Sequence, residues 1–102
     1  MAEFRRVAGT QDILAGQGKK VHVSGKHIAL FNIDGNYYAI DDTCTHKGGP
    51  LSEGEISGST VTCPWHGATF DLKTGEVLNP PAAVGVSSYN LRVIGTDIEI
   101  EI

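Results

Sequence analysis

Short apolar runs parted by glycine-bearing turns set the pattern of this chain. The runs are "KKVHVS" (19–24), "HIALFNI" (27–33), "YYAI" (37–40), "STVTC" (59–63), "ATFDL" (68–72), "EVL" (76–78), "VSSYNLRVI" (86–94) and "DIEIEI" (97–102). Val, Ile, Tyr, Phe and Thr dominate them, the residues that fit a pleated, half-buried surface. Period-two alternation is plainest in Ile98-Glu99-Ile100-Glu101-Ile102, which predicts a strand with one face on a core and one in water. Asp34-Gly35-Asn36, Ser57-Gly58-Ser59, Lys73-Thr74-Gly75 and Gly95-Thr96-Asp97 stand between the runs. That is hairpin spacing, with Gly or Asn supplying the positive φ of a tight turn. The single helical candidate, "TQDILAG" at 10–16, is too short for more than a turn or two. The pattern predicts an all-β domain of antiparallel hairpins without repeats, linkers or low-complexity tracts.

Between residues 41 and 70 the alternation lapses. Gly, Pro, Thr and Ser take over, interrupted by the strand-like "STVTC". One domain over 1–102 is therefore expected, with a subdomain of about 41–70 inserted into a basal β framework made of 1–40 and 71–102. Two fragments of that insertion, "CTHKGGP" (44–50) and "CPWHGATF" (63–70), carry the only two cysteines and two of the four histidines. Loops on a rigid scaffold are the usual place for a site.

Composition narrows the classes. At 102 residues, 40% hydrophobic and 20% charged, the chain has the balance of a soluble globular domain. The net charge is −4 and no run of Lys or Arg exceeds two, so the clustered basic footprint that nucleic acid needs is missing. "MAEFRRVAGT" has no apolar stretch like that of a signal peptide, and nothing later approaches membrane-spanning length. The expected compartment is the cytoplasm. There, two cysteines point to metal or catalytic ligands before a disulfide, with separate buried thiols as the plain alternative.

The histidines weigh against that alternative. Cys44 and His46 are two apart, Cys63 and His66 three apart, and sixteen residues separate the two packets. Each loop can thus bring one thiolate and one imidazole to a common point. Four such donors admit a tetrahedral zinc ion or a [2Fe-2S] cluster with two cysteines on one iron and two histidines on the other. Zinc fingers usually pair like with like along the chain, whereas here each loop mixes the two types. Mixed loops favour the two-iron answer.

"C-T-H…G-G-P" followed by "C-P-W-H-G" resembles the two cluster-binding loops of Rieske proteins, and the chain's size is similar to that of the Rieske-type ferredoxins of bacterial oxygenase systems. The flanking "FNIDGNYYAID", "FDLKTGEVL" and "NPPA" extend the likeness over nearly the whole chain. The resemblance implies a Rieske iron–sulfur fold, an antiparallel β framework with the cluster at one tip. It places Cys44 and Cys63 on the inner iron and His46 and His66 on the outer iron. Asn79-Pro80-Pro81-Ala82 matches the family's covering proline loop, and Gly48, Gly49 and Gly67 would let backbone pass close to sulfur. Lys47, Pro50, Trp65 and Pro81 would rim the tip, Trp65 as lid, packing residue or contact.

Charge explains such a ligand set. Two ferric ions, two sulfides and two thiolates sum to zero, whereas four thiolates would leave a dianion that is harder to reduce. The added electron would settle on the histidine-bound iron, making His46 and His66 its exit. High-potential members carry an extra, disulfide-linked cysteine in each loop, where this chain has Gly49 and Trp65. They also donate serine and tyrosine hydroxyls to sulfur at the positions of Ala68 and Phe70. Each lost bond to an anionic acceptor is worth about 1–2 kcal/mol, roughly 40–90 mV for one electron. The expected potential is low in the Rieske range, about −150 mV.

Catalysis of oxygenation would need a mononuclear iron, typically on two histidines and a carboxylate. Only His22 and His27 remain, and they are expected as half-exposed strand residues around Ser24-Gly25-Lys26. No Gly-rich phosphate loop is present for flavin or nicotinamide. The expected function is therefore that of a monomeric electron carrier and not an enzyme. It would take electrons from an NAD(P)H-dependent flavoprotein reductase and pass them to a terminal, aromatic-ring-hydroxylating oxygenase docked at the His46/His66 tip. The alternatives are the Rieske-like small subunit of an assimilatory nitrite reductase and a structural zinc module.

Overall fold

A computed structural model describes residues 3–43, 49–65, 67–79 and 84–102. Among the described residues there are three antiparallel sheets. Strands β1 (Phe4–Gly9), β10 (Leu91–Ile94) and β11 (Asp97–Glu101) form the first, ordered β1-β11-β10. The second is ordered β2-β3-β4-β9, from β2 (Gln17–Val23), β3 (Lys26–Ile33), β4 (Asn36–Asp41) and β9 (Ser88–Tyr89). The third runs β5-β6-β7-β8, from β5 (Glu55–Ser57), β6 (Thr60–Thr62), β7 (Thr69–Asp71) and β8 (Val77–Asn79).

The second sheet lies between the other two, which explains why "HIALFNI" is almost continuously apolar. Along β3, Ile28 and Leu30 point to one face and join Ala8, Ile13, Val21, Val23, Ala39, Ile98 and Ile100 in a core against the first sheet. Ala29 and Phe31 point to the other face, where Ile40, Leu51, Val61, Phe70 and Leu72 form a second core against the third sheet. A strand buried on both sides has no polar positions to alternate with. The alternating "DIEIEI" keeps its expected pattern, with Ile98 and Ile100 buried and Glu99 and Glu101 half-buried.

Polar groups at the sheet margins are paired. Buried Asn32 donates through Nδ2 to the Ile13 carbonyl at 2.9 Å and accepts the Gly35 N–H at 2.8 Å. One side chain thereby fixes the Asp34-Gly35 turn to the segment before β2, and its burial is repaid by bonds at both ends. Three of the four expected turns close two-residue loops, with Ile33 paired to Asn36, Ser57 to Thr60 and Ile94 to Asp97, as Val23 is to Lys26; the fourth, Lys73-Thr74-Gly75, lies in a longer connection between β7 and β8.

Four elements differ from the sequence expectation. "FRRVAG" at 4–9 is strand β1, hidden from pattern reading by Arg5-Arg6 and by a register shift between Arg6 and Ala8. Arg6 is exposed and bonded to Asp97 at 2.7 Å, so its charge lies in solvent. "VSSYNLRVI" breaks at Asn90: β9 pairs with β4 in the second sheet and β10 with β11 in the first. The helical candidate shrinks to a 3-10 turn at Thr10–Asp12. Short β5 also joins the one strand expected within 41–70.

Since one strand serves two cores, Leu30→Ala and Phe31→Ala are both expected to lower stability, by about 2–5 kcal/mol and about 3–5 kcal/mol respectively. Urea unfolding checks this, and a cost under about 0.5 kcal/mol for either, as for a surface position, would contradict the two-faced middle sheet.

Candidate metal centre

Of the four expected ligands, Cys44, His46 and His66 lie outside the described residues, as do Gly48, Lys47 and the 80–83 segment of the proline turn. The described residues show how the remaining ligand and the roots of these loops are held. Cys63 follows β6 directly. Its N–H donates to the Ala68 carbonyl at 2.7 Å, closing the second loop on itself. Its sulfur is buried, with the residue 2% exposed, and accepts the Trp65 N–H at 3.4 Å. A donor aimed at sulfur stabilises the thiolate over the thiol and suits a metal ligand better than a packing thiol.

The first loop reaches this sulfur through Gly49. A Cβ added there would stand 2.7 Å from Cys63 Sγ, 3.0 Å from Trp65 Cγ and 3.1 Å from Trp65 Cβ. Only hydrogen fits, so the backbone of one loop lies directly against the cysteine of the other. The expectation of a close backbone approach therefore holds at Gly49. Gly67 has φ +78 with open space where a Cβ would be, so it serves the turn. Gly49 and Trp65 are in contact, and Trp65 is half exposed.

Two consecutive aspartates, not singled out in the sequence, fasten the loop roots. Buried Asp42 accepts the Ser52 N–H through Oδ1 at 2.7 Å and the Leu51 N–H through its carbonyl at 2.7 Å. With the Thr43–Pro50 bridge, these bonds draw together both ends of the 44–49 loop. Asp41 holds the segment beyond the proline turn: its N–H donates to the Ser87 carbonyl at 3.0 Å, and its carboxylate accepts the Ser87 N–H at 3.2 Å and the Tyr89 hydroxyl. The near side of that turn is tied by Asn79 Nδ2 donating to Thr69 Oγ1 at 2.9 Å. On its far side the Val86 N–H donates to the Gly75 carbonyl at 2.8 Å. Gly75 has φ +79, and a Cβ there would collide with the Val86 carbonyl. The available signal was an Asp-Asp pair at a strand end just before a Gly-rich loop, where carboxylates commonly take up loose N–H groups.

Of the expected donors only Cys63 is described, and its surroundings fit a thiolate ligand of an iron–sulfur cluster. Its buried sulfur has a backbone N–H on it and a glycine backbone laid against it from the opposite loop, surroundings that would stabilise a thiolate.

Two tests follow from this geometry. Gly49→Ala is expected to lower the cluster bound per chain several-fold, read from visible absorbance, and full occupancy would contradict the close approach. Burial first, then the bond to Asp41 and its charge, push the Tyr89 hydroxyl up to about 12 from its ordinary 10. A raised acid stabilises the fold fully below the unfolded value and loses that contribution as pH climbs from about 10 through about 12. Absorbance at the phenolate band is expected to show one tyrosine titrating near the upper value, absent in Tyr89→Phe; identical alkaline curves would refute the latch.

Comparison with known proteins agrees with this construction. The Rieske [2Fe-2S] domain family matches residues 3–90. The ferredoxin subunit of 3-phenylpropionate/cinnamic acid dioxygenase from Shigella flexneri serotype 5b is 42% identical over 92 residues, 89% of this chain and 86% of that protein. The ferredoxin of carbazole 1,9a-dioxygenase from Nocardioides aromaticivorans IC177 superposes with a TM-score of 0.90 at 28% identity, covering 95% of each chain. A complex of reduced oxygenase and oxidized ferredoxin in carbazole 1,9a-dioxygenase matches with a TM-score of 0.88 at 28% identity, over 95% of this chain and 91% of that one. A nitrite reductase small subunit from Mycobacterium tuberculosis, with a TM-score of 0.90 at 24% identity over 100% of this chain and 96% of that one, shares the fold. The chain belongs to the Rieske [2Fe-2S] domain family.

Proposed function

We propose that this chain is the ferredoxin component of an aromatic-ring-hydroxylating oxygenase system, carrying electrons one at a time from an NAD(P)H-dependent flavoprotein reductase to the terminal oxygenase. The observation that carries the proposal is the buried Cys63 sulfur, cradled by the Trp65 N–H and by the Gly49 backbone of the facing loop. Cys44 and Cys63 would hold one iron of the cluster, and His46 and His66 the other. Bound there, a [2Fe-2S] cluster supplies a reversible one-electron store.

The protein's own part is to hold the loops and tune the site. Asp42 and the Thr43–Pro50 bridge fix the first loop, and the Cys63–Ala68 bond fixes the second. Ala68 and Phe70 are both fully buried, Phe70 within the second core. Neither brings a hydroxyl to sulfur, which keeps the potential low and suits a donor to an oxygenase. Support for the partner comes from the 42% identical relative, a dioxygenase ferredoxin subunit, and from the oxygenase–ferredoxin complex of the carbazole system. The chain transforms no substrate itself; the 42% identical relative is a ferredoxin subunit and the carbazole-system neighbour a ferredoxin.

Docking is proposed at the tip formed by His46 and His66, where the outer iron's ligands would meet each partner in turn. A carrier that alternates between two partners works best as a monomer in the cytoplasm. Among the described residues no helix is long and apolar enough to cross a membrane.

Reconstitution tests the proposal. With a matching reductase and oxygenase, NADH-driven hydroxylation is expected to depend on this protein and to stop when it is omitted. Redox titration is expected to give a midpoint of about −150 mV, and a clearly positive midpoint would contradict the low-potential assignment. A colourless preparation holding one divalent ion would favour the zinc alternative.

A further inference from the structure

The β2–β3 hairpin carries two histidines that the proposed electron path does not use. Val23 and Lys26 flank the Ser24-Gly25 loop, and His22 is paired with His27 next along the ladder. In a two-residue hairpin the pair flanking the loop exchanges hydrogen bonds, so the next pair is of the other kind, in which side chains stand closest. The two ring centres are 4.2 Å apart, with the ring planes tilted by 52°. Both residues are exposed. Their neighbours Val21, Val23 and Ile28 turn into the core on the other face, so the alternation of two strands holds the imidazoles side by side in solvent. Among the described residues, neither ring has a hydrogen bond or ion pair, and the two rings are in contact with each other.

We propose that His22 and His27 form a two-imidazole chelate for a divalent transition-metal ion that prefers right-angled coordination, Cu2+ or Ni2+, with water filling the remaining positions. Imidazole suits these ions, and Cu2+ and Ni2+ stand high in the general order of divalent affinity. A metal about 2.0 Å from one nitrogen of each ring sets the ring centres about 4.5 Å apart at a right angle and about 5.2 Å apart at the tetrahedral angle. The observed 4.2 Å lies nearer the first. A few tenths of an ångström, within ordinary side-chain rocking, closes the difference. Because the hairpin fixes both rings before any ion arrives, the second bond forms at high effective concentration. No third His, Cys, Asp or Glu completes a metal cluster among the described residues, so the site binds an ion without the carboxylate of an oxygen-activating iron centre. It shares no residue with the expected cluster ligands Cys44, His46, Cys63 and His66.

Calorimetric titration of the untagged, cluster-loaded protein with Ni2+ tests the proposal, beside retention on a Ni2+-charged column. His22→Gln and His27→Gln are each expected to lower the affinity at least tenfold, and the double variant no further than either single one, since a lone imidazole cannot chelate. Both positions are exposed, and unchanged visible absorbance confirms that each variant keeps its fold and cluster. Three results would overturn the chelate: wild-type binding no tighter than that of the variants, small independent losses that add in the double variant, or tight binding that survives in the double variant and so belongs elsewhere.

Discussion

The structure depends on bringing the Cys63 sulfur into the protein interior with polar backbone around it. Cys63 is nearly inaccessible, and a charge there would be prohibitive in an apolar surround. Backbone meets the need. The Trp65 N–H points at the sulfur from the same loop, and Gly49 brings main chain against it from the opposite loop. A side chain at position 49 would hold the two loops apart. The distance between the loops, and hence any shared ligand, is set by the absence of one methyl group.

The β framework exists to hold that approach fixed. The middle sheet is apolar on both faces, so the third sheet, which carries Cys63, is packed against the same strand that packs on the first. Movement of one layer is felt in the other. From the end of β4, Asp41 and Asp42 reach in two directions, one to the segment after the proline turn and one to the end of the first loop. The segments at Leu51-Ser52 and at Ser87–Tyr89 are thus anchored to one rigid strand end. Irregular backbone is costly to order, and these bonds confine the ordering to the place where donors must converge.

Much of this was legible in the chain. Alternation in "DIEIEI" gave a half-buried strand, turn residues gave the hairpins, and the mixing of Cys with His in each packet pointed away from a zinc finger. What stayed hidden follows from tertiary context. Arg5 and Arg6 disguise β1 because an outer strand can send long charged side chains into water. Asn90 splits one apparent strand between two sheets, a choice that no local pattern encodes. Asp41 and Asp42 read as ordinary acidic residues until the N–H groups they satisfy come from 87 and 52. Gly49 could be named as a candidate for close approach, but telling it from the turn glycine Gly67 required the position of Cys63 Sγ.

The central claim is that the converging loops place two thiolates on one iron and two imidazoles on its neighbour. Mössbauer spectroscopy of the one-electron-reduced protein, grown on isotopically enriched iron, tests it most directly. The account predicts two unequal irons in equal amount, a ferric site with sulfur ligands only and a ferrous site with nitrogen donors. Two equivalent irons, or a single iron without sulfide, would contradict it.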